Sequence, residues 1–233
     1  MKHFQQNPIQ PKNLERIDDP SGRVYKTPAG TFPSITTVLS RLSRDSIKEW
    51  RKRVGEEEAN RITQSAADRG TKLHKICEDY LSNKTVESLT LLEDMRFKKV
   101  KGWLDENVGE VIGLELPLYS SYLGVAGTCD CIITLKANGK LFILDFKTSR
   151  KSKERWMVES YFLQATGYCV MFEEVYGLPI SRFGIIMLTD DGDLQTFYGK
   201  RDNYIEKLVE CIEEYKYEQK LFAGARGGTR AAK

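Results

Sequence analysis

The spacing of hydrophobic and polar positions changes halfway along the chain. Up to about residue 108 the apolar positions recur at helical spacing; beyond it they alternate or cluster in short runs bounded by turn residues. Residues 1–30 read as a polar arm punctuated by Pro8, Pro11 and Pro20. Within it, Arg23-Val24-Tyr25 and Thr31-Phe32 flank Pro28-Ala29-Gly30 as a small hairpin. Ser34 or Thr36 is placed to cap a helix from Ile35. The pattern is helical from Asp45 to about Asn83, with breaks predicted at Gly55 and Gly70. A further helix is predicted over Leu89 to Glu106, anchored by Leu92, Met95, Val100, Trp103 and Leu104. Strands follow at Val111–Tyr119, with Ile112, Leu114, Leu116 and Leu118 on one face, and at Gly127–Leu135 and Lys140–Thr148. A helix over Glu154–Tyr176, strands at Phe183–Thr189 and Leu194–Tyr198, and a helix over Asn203–Phe222 complete the order, with 223–233 as a Gly-rich flexible tail. This predicts one α/β domain over 31–222, helical over 31–108 and α/β over 109–222.

Composition narrows the class. A chain of 233 residues with 40% hydrophobic and 10% aromatic content can bury its own core. No uncharged apolar run approaches the ~18 residues of a membrane span. Met1–Pro11 lacks the apolar centre of a secretory signal and is poor in Arg for a transit peptide, so a cytoplasmic setting in a bacterial or phage-infected cell is expected. The net charge of +3 neither requires nor excludes a nucleic-acid partner. The five cysteines, Cys77, Cys129, Cys131, Cys169 and Cys211, have no zinc-knuckle spacing and read as reduced thiols.

The densest chemistry lies between Thr128 and Thr148. Ala137-Asn138-Gly139-Lys140 predicts a two-residue type I′ turn. With Ala137 opposite Lys140, Asp130 falls opposite Lys147 and diagonal to Asp145, all on one face and about 5–8 Å apart. Two readings fit two carboxylates and a lysine on apolar strands. One is a structural Asp130–Lys147 ion pair. The other is a site where the carboxylates hold a hard divalent cation and the lysine positions a water. His74 and Glu78 share a helix face, as do Gln164 and Tyr168. Arg150, Lys151, Lys153 and Arg155 form a basic run directly after the Asp-x-Lys strand.

Gly-Thr-x-x-His-x-x-x-Glu (70–78), Gly-x-x-Asp (127–130), Asp-Phe-Lys-Thr (145–148) and Gln-x-x-x-Tyr (164–168) occur in this order. The set resembles the RecB-like branch of the PD-(D/E)xK nuclease superfamily. Phe32–Leu39 and Lys48-Glu49-Trp50 resemble the mitochondrial genome maintenance exonuclease and its phage relatives. The resemblance implies a restriction-endonuclease-like core, a central mixed β-sheet flanked by helices, with an N-terminal helical elaboration. It implies Asp130, Asp145, Lys147 and His74 as catalytic residues, and His74, Asp130, Asp145 and the Phe146 carbonyl as ligands of one or two Mg²⁺ or Mn²⁺ ions. Gln164, Tyr168, Thr148, Arg150 and Lys151 would bind substrate, with Glu78 as an orienter of His74 and Glu115 as an additional carboxylate. The scattered cysteines predict no iron–sulfur cluster. The implied activity is a metal-dependent exonuclease on single-stranded DNA with free ends, in replication, repair or recombination. An endonuclease on the same core, or a catalytically silent nucleic-acid-binding module, is the alternative.

Overall fold

The computed structural model describes residues 3–19, 21–86 and 89–227. Its elements are β1 (Gln5–Gln6), β2 (Glu15–Asp19), β3 (Gly22–Thr27), β4 (Gly30–Pro33), α1 (Ile35–Ser40), α2 (Arg44–Val54), α3 (Glu56–Leu81), α4 (Leu91–Asn107), β5 (Val108–Ser120), β6 (Val125–Leu135), β7 (Leu141–Ser149), α5 (Glu159–Tyr176), β8 (Arg182–Thr189), β9 (Leu194–Lys200) and α6 (Ile205–Gly227). A six-stranded sheet in the order β1-β5-β6-β7-β8-β9 forms the centre. It is mixed: β5, β6 and β7 run antiparallel, β7 and β8 are parallel across the α5 crossover, and β9 returns antiparallel. No helix among the described residues is long and apolar enough to cross a membrane.

Each face of the sheet carries its own core. On one face α1, α5 and α6 pack Ile35, Phe162, Tyr168, Phe172 and Leu208 against Leu116, Ile132, Ile143 and Phe183. On the other, α3 and α4 pack Leu73, Cys77, Tyr80, Phe97 and Leu104 against Val111, Ile133, Leu144 and Phe146. Buried on both faces, β7 and β8 read as continuous apolar runs, as parallel strands do.

Several expectations change in the folded chain. The N-terminal arm is structured: β1 joins the central sheet beside β5, and β2, β3 and β4 form a small antiparallel sheet that contains the expected hairpin. The Tyr25 hydroxyl meets Thr128 Oγ1 at 3.1 Å and ties this sheet to β6. Ser34 caps α1, accepting from the Thr36 N–H. Gly55 ends α2 as expected, but Gly70 does not interrupt α3, which continues for 26 residues. One glycine costs a helix about 1 kcal/mol, and α3 offsets this by burying Leu73, Ile76, Cys77 and Tyr80. In α4 the buried anchors are Phe97, Val100 and Leu104, whereas Leu92 and Met95 are exposed. Helix α6 extends into the expected tail as far as Gly227; residues 228–233 lie outside the described residues.

The β6–β7 hairpin also differs. Cys131 pairs with Leu144 and Thr134 with Leu141, a register two residues away from the expected one. A type I′ turn needs positive φ at both central residues. Here only Gly139 has it, at 66°. The loop instead closes with Leu135 N–H donating to the Lys140 carbonyl, and Asn138 Oδ1 accepts from the Lys140 N–H.

A contrast between two glycines tests the packing. A Cβ at Gly199 would lie 2.3 Å from the ring of Phe183, which is itself held by Phe162 and Tyr204. Gly199→Ala is therefore expected to lower the unfolding free energy by about 1–3 kcal/mol. A Cβ at Gly102 of α4 meets nothing within 4 Å. Gly102→Ala is expected to raise stability by about 0.5–1 kcal/mol. Urea unfolding of both variants reads the difference.

Candidate active site

The β6–β7 ladder ends at the Cys131–Leu144 pair. Beyond it the strands part, and a side chain takes over from the backbone: Asp130 Oδ2 accepts from the Phe146 N–H at 2.8 Å. Into this fork the sequence places two more acidic groups. Asp145 follows Leu144 on β7 and is fully buried. Glu115 lies on β5 between Leu114 and Leu116, which pair with Cys131 and Cys129, so it flanks Asp130.

Glu115 has φ +45°, a left-handed conformation for a non-glycine residue. Such a residue typically stores ~1–3 kcal/mol of strain. Around it β5 changes face. Leu114 packs on the α3–α4 side, while Ile112, Leu116 and Leu118 pack on the α5 side, contrary to the single face expected for all four. A register shift between Val111 and Gly113 contributes the extra residue.

His74 enters from the opposite layer. The uninterrupted α3 carries its ring to the fork, where Nε2 lies 2.7 Å from the Phe146 carbonyl oxygen. A carbonyl only accepts, so Nε2 bears the proton and the tautomer is set. Nδ1 then faces Asp130 Oδ2 at 3.5 Å and Glu115 Oε1 at 3.9 Å. His74, Glu115 and Asp130 offer atoms that all lie within 4.8 Å of one another.

Lys147 points to the same side of β7 as Asp145, and its Nζ forms an ion pair with Asp145 Oδ2. It also lies 5.2 Å above the Tyr161 ring. Asp145 Oδ1, on the other side of the carboxylate, has no hydrogen-bond partner.

The electrostatics follow from burial. Desolvation, reinforced by Asp130 and opposed by Lys147, raises the Asp145 carboxyl to about 6. Burial also raises Asp130, against Lys147, His74 and the Phe146 N–H. Burial disfavours charge on His74, but Glu115, then Asp130 and Asp145, outweigh it and raise the imidazole to about 9. For Lys147, burial is likewise outweighed by Asp145 and Asp130, so its ammonium is held above the ordinary lysine value. The fork thus concentrates negative charge that one lysine and one histidine only partly neutralise. Asp145 Oδ1, buried and unpartnered, is the kind of atom a hard cation satisfies. His74, Glu115 and Asp130 form the compact set that could hold a divalent ion; Asp145, an expected ligand, is not part of that set and instead pairs with Lys147.

Of the other sequence-derived candidates, some adjoin the fork and others do not. Gln164 and Tyr168 are buried on α5, with Gln164 Nε2 donating to the Tyr168 hydroxyl at 3.0 Å. Burial, with Asp130 and Asp145 nearby, keeps that phenol protonated well beyond its ordinary range. Thr148 alternates to the other side of β7 and lines a cavity with Arg69, Lys72 and Arg96, away from Lys147. Glu78 pairs with Lys75 at 3.4 Å instead of orienting His74; the Phe146 carbonyl takes that position. The same carbonyl was an expected metal ligand, and here it holds His74. Arg150 and Lys151 are exposed on the loop after β7. The sequence reading missed Tyr161, whose ring faces both Lys147 and Lys153. Its i,i+3 relation to Gln164 on one helix face is the signal that could have found it.

Residues 37–224 match the family model of the PD-(D/E)XK nuclease superfamily. Two solved structures of an alkaline exonuclease (LHK-Exo) from Laribacter hongkongensis are similar to the chain. One is 11% identical, with a TM-score of 0.35, and the match covers 72% of this chain and 88% of that one. The other, in complex with dAMP, is 12% identical, with a TM-score of 0.36 and coverage of 73% and 90%. No curated protein matches the chain.

The strain at Glu115 is measurable. Glycine tolerates a positive φ and alanine does not, so Glu115→Gly is expected to be more stable than Glu115→Ala by about 1 kcal/mol. Chemical unfolding of the two variants in metal-free buffer checks this; equal stabilities would mean that the position carries no backbone strain.

Proposed function

This chain belongs to the PD-(D/E)XK nuclease superfamily, and from that premise we propose that it is a divalent-metal-dependent deoxyribonuclease acting on single-stranded DNA with free ends. One observation carries the reading. Asp145 is fully buried with an oxygen that has no hydrogen-bond partner, and Asp130 and Lys147 lie beside it. A purely structural ion pair would leave that oxygen an uncompensated cost of burial.

A divalent cation held by Asp130 and Asp145, with His74 and Glu115, would neutralise the scissile phosphate and acidify a bound water. The chain's own groups do the rest. Lys147, an ammonium with donors only, holds the attacking water or a phosphate oxygen. His74, locked through Nε2 on Phe146, keeps Nδ1 aimed into the fork. Tyr168 accepts from Gln164 and so has its own proton free to donate towards substrate.

Support for a single-stranded substrate comes from the surface next to this site. A groove between α1–α2 and the start of α5 runs from Ser40 and Ser43 past Trp156 to Tyr161 and Gln164. Trp156 is 74% exposed. An exposed indole beside a hydrolytic centre is a stacking platform for unpaired bases.

The test uses end-labelled linear single strands and closed circular single strands, with Mg²⁺ or Mn²⁺ and an EDTA control. Loss of the linear substrate alone is expected, and Asp145→Asn should slow it by about two orders of magnitude or more. Equal cutting of circles would make the protein an endonuclease. DNA retention without cutting would make it a binding module.

Metal binding has a separate readout. Mn²⁺ is expected to raise the thermal midpoint of the parent protein and leave that of folded Asp145→Asn unchanged. A shift of equal size in both would place the ion elsewhere.

A further inference from the structure

A second groove lies at the outer edge of the sheet, formed by β9, the end of α4 and the turn before α5. Trp103, Phe142, Arg155, Arg182, Tyr198 and Lys200 line it, and it encloses about 390 Å³. That falls within the ~300–1,000 Å³ usual for ligand sites. It is not part of the fork: Phe142 precedes Asp145 by three residues, about 10 Å along β7, and faces the opposite layer.

The groove's charge is of one sign. Elsewhere among the described residues many basic side chains are paired with carboxylates, as in Arg41–Glu218, Lys75–Asp79 and Lys101–Asp105. No carboxylate is among the residues that line the groove. Arg182 and Lys200 are directly opposite each other across β8 and β9. Like charges at such a pair destabilise a sheet, and among the described residues neither has an ion-pair partner. Arg155 adds a third cation in a fixed orientation. Its guanidinium lies 4.7 Å from the Phe162 ring centroid and donates to the Tyr198 carbonyl at 2.9 Å and the Tyr204 hydroxyl at 3.2 Å. Those bonds are to neutral acceptors, so its charge remains uncompensated.

An aromatic surface adjoins the cations. Tyr198 is half exposed, and Trp103 Nε1 donates to its hydroxyl at 3.1 Å, fixing the ring. Three cations without counter-charges beside a held phenol match an anion that carries a planar group.

We propose that this groove is a second binding site for single-stranded DNA, in which Arg155, Arg182 and Lys200 hold backbone phosphate and Tyr198 stacks a base. The site lies outside the hydrolytic fork and engages a strand long enough to pass the β9 edge. The choice of single-stranded DNA rests on the function proposed above; the anion-and-ring chemistry does not.

The experiment measures fluorescence anisotropy of a labelled single strand of about 30 nucleotides, longer than the ~4–16 that one site covers. EDTA is present throughout, so nothing is cut. The parent protein is compared with Arg182→Ala/Lys200→Ala and with a charge-matched control, Lys26→Ala/Lys216→Ala. Circular dichroism confirms folding of each. The groove variant is expected to bind at least about fivefold more weakly at 0.1 M salt. The slope of log affinity against log salt should shrink by about 1.4, since each lost phosphate contact on a single strand contributes ~0.7. The control should change neither. Groove-variant binding equal to that of the control would overturn the proposal.

Titration with dTMP separates the two sources of the same chemistry. Mononucleotide binding that is lost in the groove variant, with the long strand unaffected, would make this a nucleotide pocket and overturn the strand reading. The cleavage assay is independent of all these outcomes. If the parent protein cuts no DNA while the groove variant still loses affinity, the hydrolase reading fails and the groove stands. If the parent cuts and both variants bind alike, the groove fails and the hydrolase reading stands.

Discussion

A carboxylate with no exposed surface constrains everything near it. Asp145 sits on a strand buried on both faces, flanked by Leu144 and Phe146. Burying it would cost several kcal/mol without compensation, and the surroundings supply that compensation only in part. Lys147 pairs with one oxygen and the other is left without a partner. Asp130, the nearest acidic group, uses one of its oxygens to hold the Phe146 N–H. The fork between β6 and β7 is the geometric consequence. Where the backbone ladder continues there is no room for carboxylates between strands; where it stops, a side chain must satisfy the freed amide.

Two packing layers meet at this fork, which explains why the architecture needs both. Asp145 and Lys147 project towards α5, where Tyr161, Gln164 and Tyr168 wait, whereas His74 arrives from α3 on the far side. A continuous sheet would keep these groups apart. The parted strands expose the Phe146 carbonyl and amide edge-on, so one peptide unit binds His74 through its carbonyl, and its neighbour's N–H binds Asp130. Glu115, held at a positive φ where β5 changes face, completes the acidic set. Strain, burial and an unpartnered carboxylate oxygen converge within one small volume.

Some of this was readable in advance. The helices and strands after the N-terminal arm, with the helix between β7 and β8, follow from apolar periodicity and turn residues, which act locally; the mixed sheet was implied by the family resemblance. Asp145 and Lys147 stand on one side of β7, whereas Asp130 turns its Oδ2 to the Phe146 N–H and towards His74 from the other layer, and the hairpin register is two residues from the expected one. The misreadings have physical causes. Thr148 follows Lys147 and so points the other way. Glu78 shares a helix face with His74, but Lys75 is closer and carries the opposite charge. Gly70 looks like a helix stop until the burial of Leu73, Ile76 and Tyr80 is weighed against its local cost.

What the chain determined by itself was the set of short-range preferences: which segments coil or extend, which faces are apolar, and which acidic and basic side chains stand on those faces. Only the tertiary structure decided where the β6–β7 ladder ends, that His74 rests on the Phe146 carbonyl, that Glu115 is strained beside Asp130, and that Arg182 faces Lys200 without an intervening carboxylate. The reason is the range of the interactions. Propensity and periodicity are summed over a few neighbouring residues. Desolvation, ion pairing and the parting of two strands depend on groups tens of residues apart in the chain and only a few ångströms apart in space.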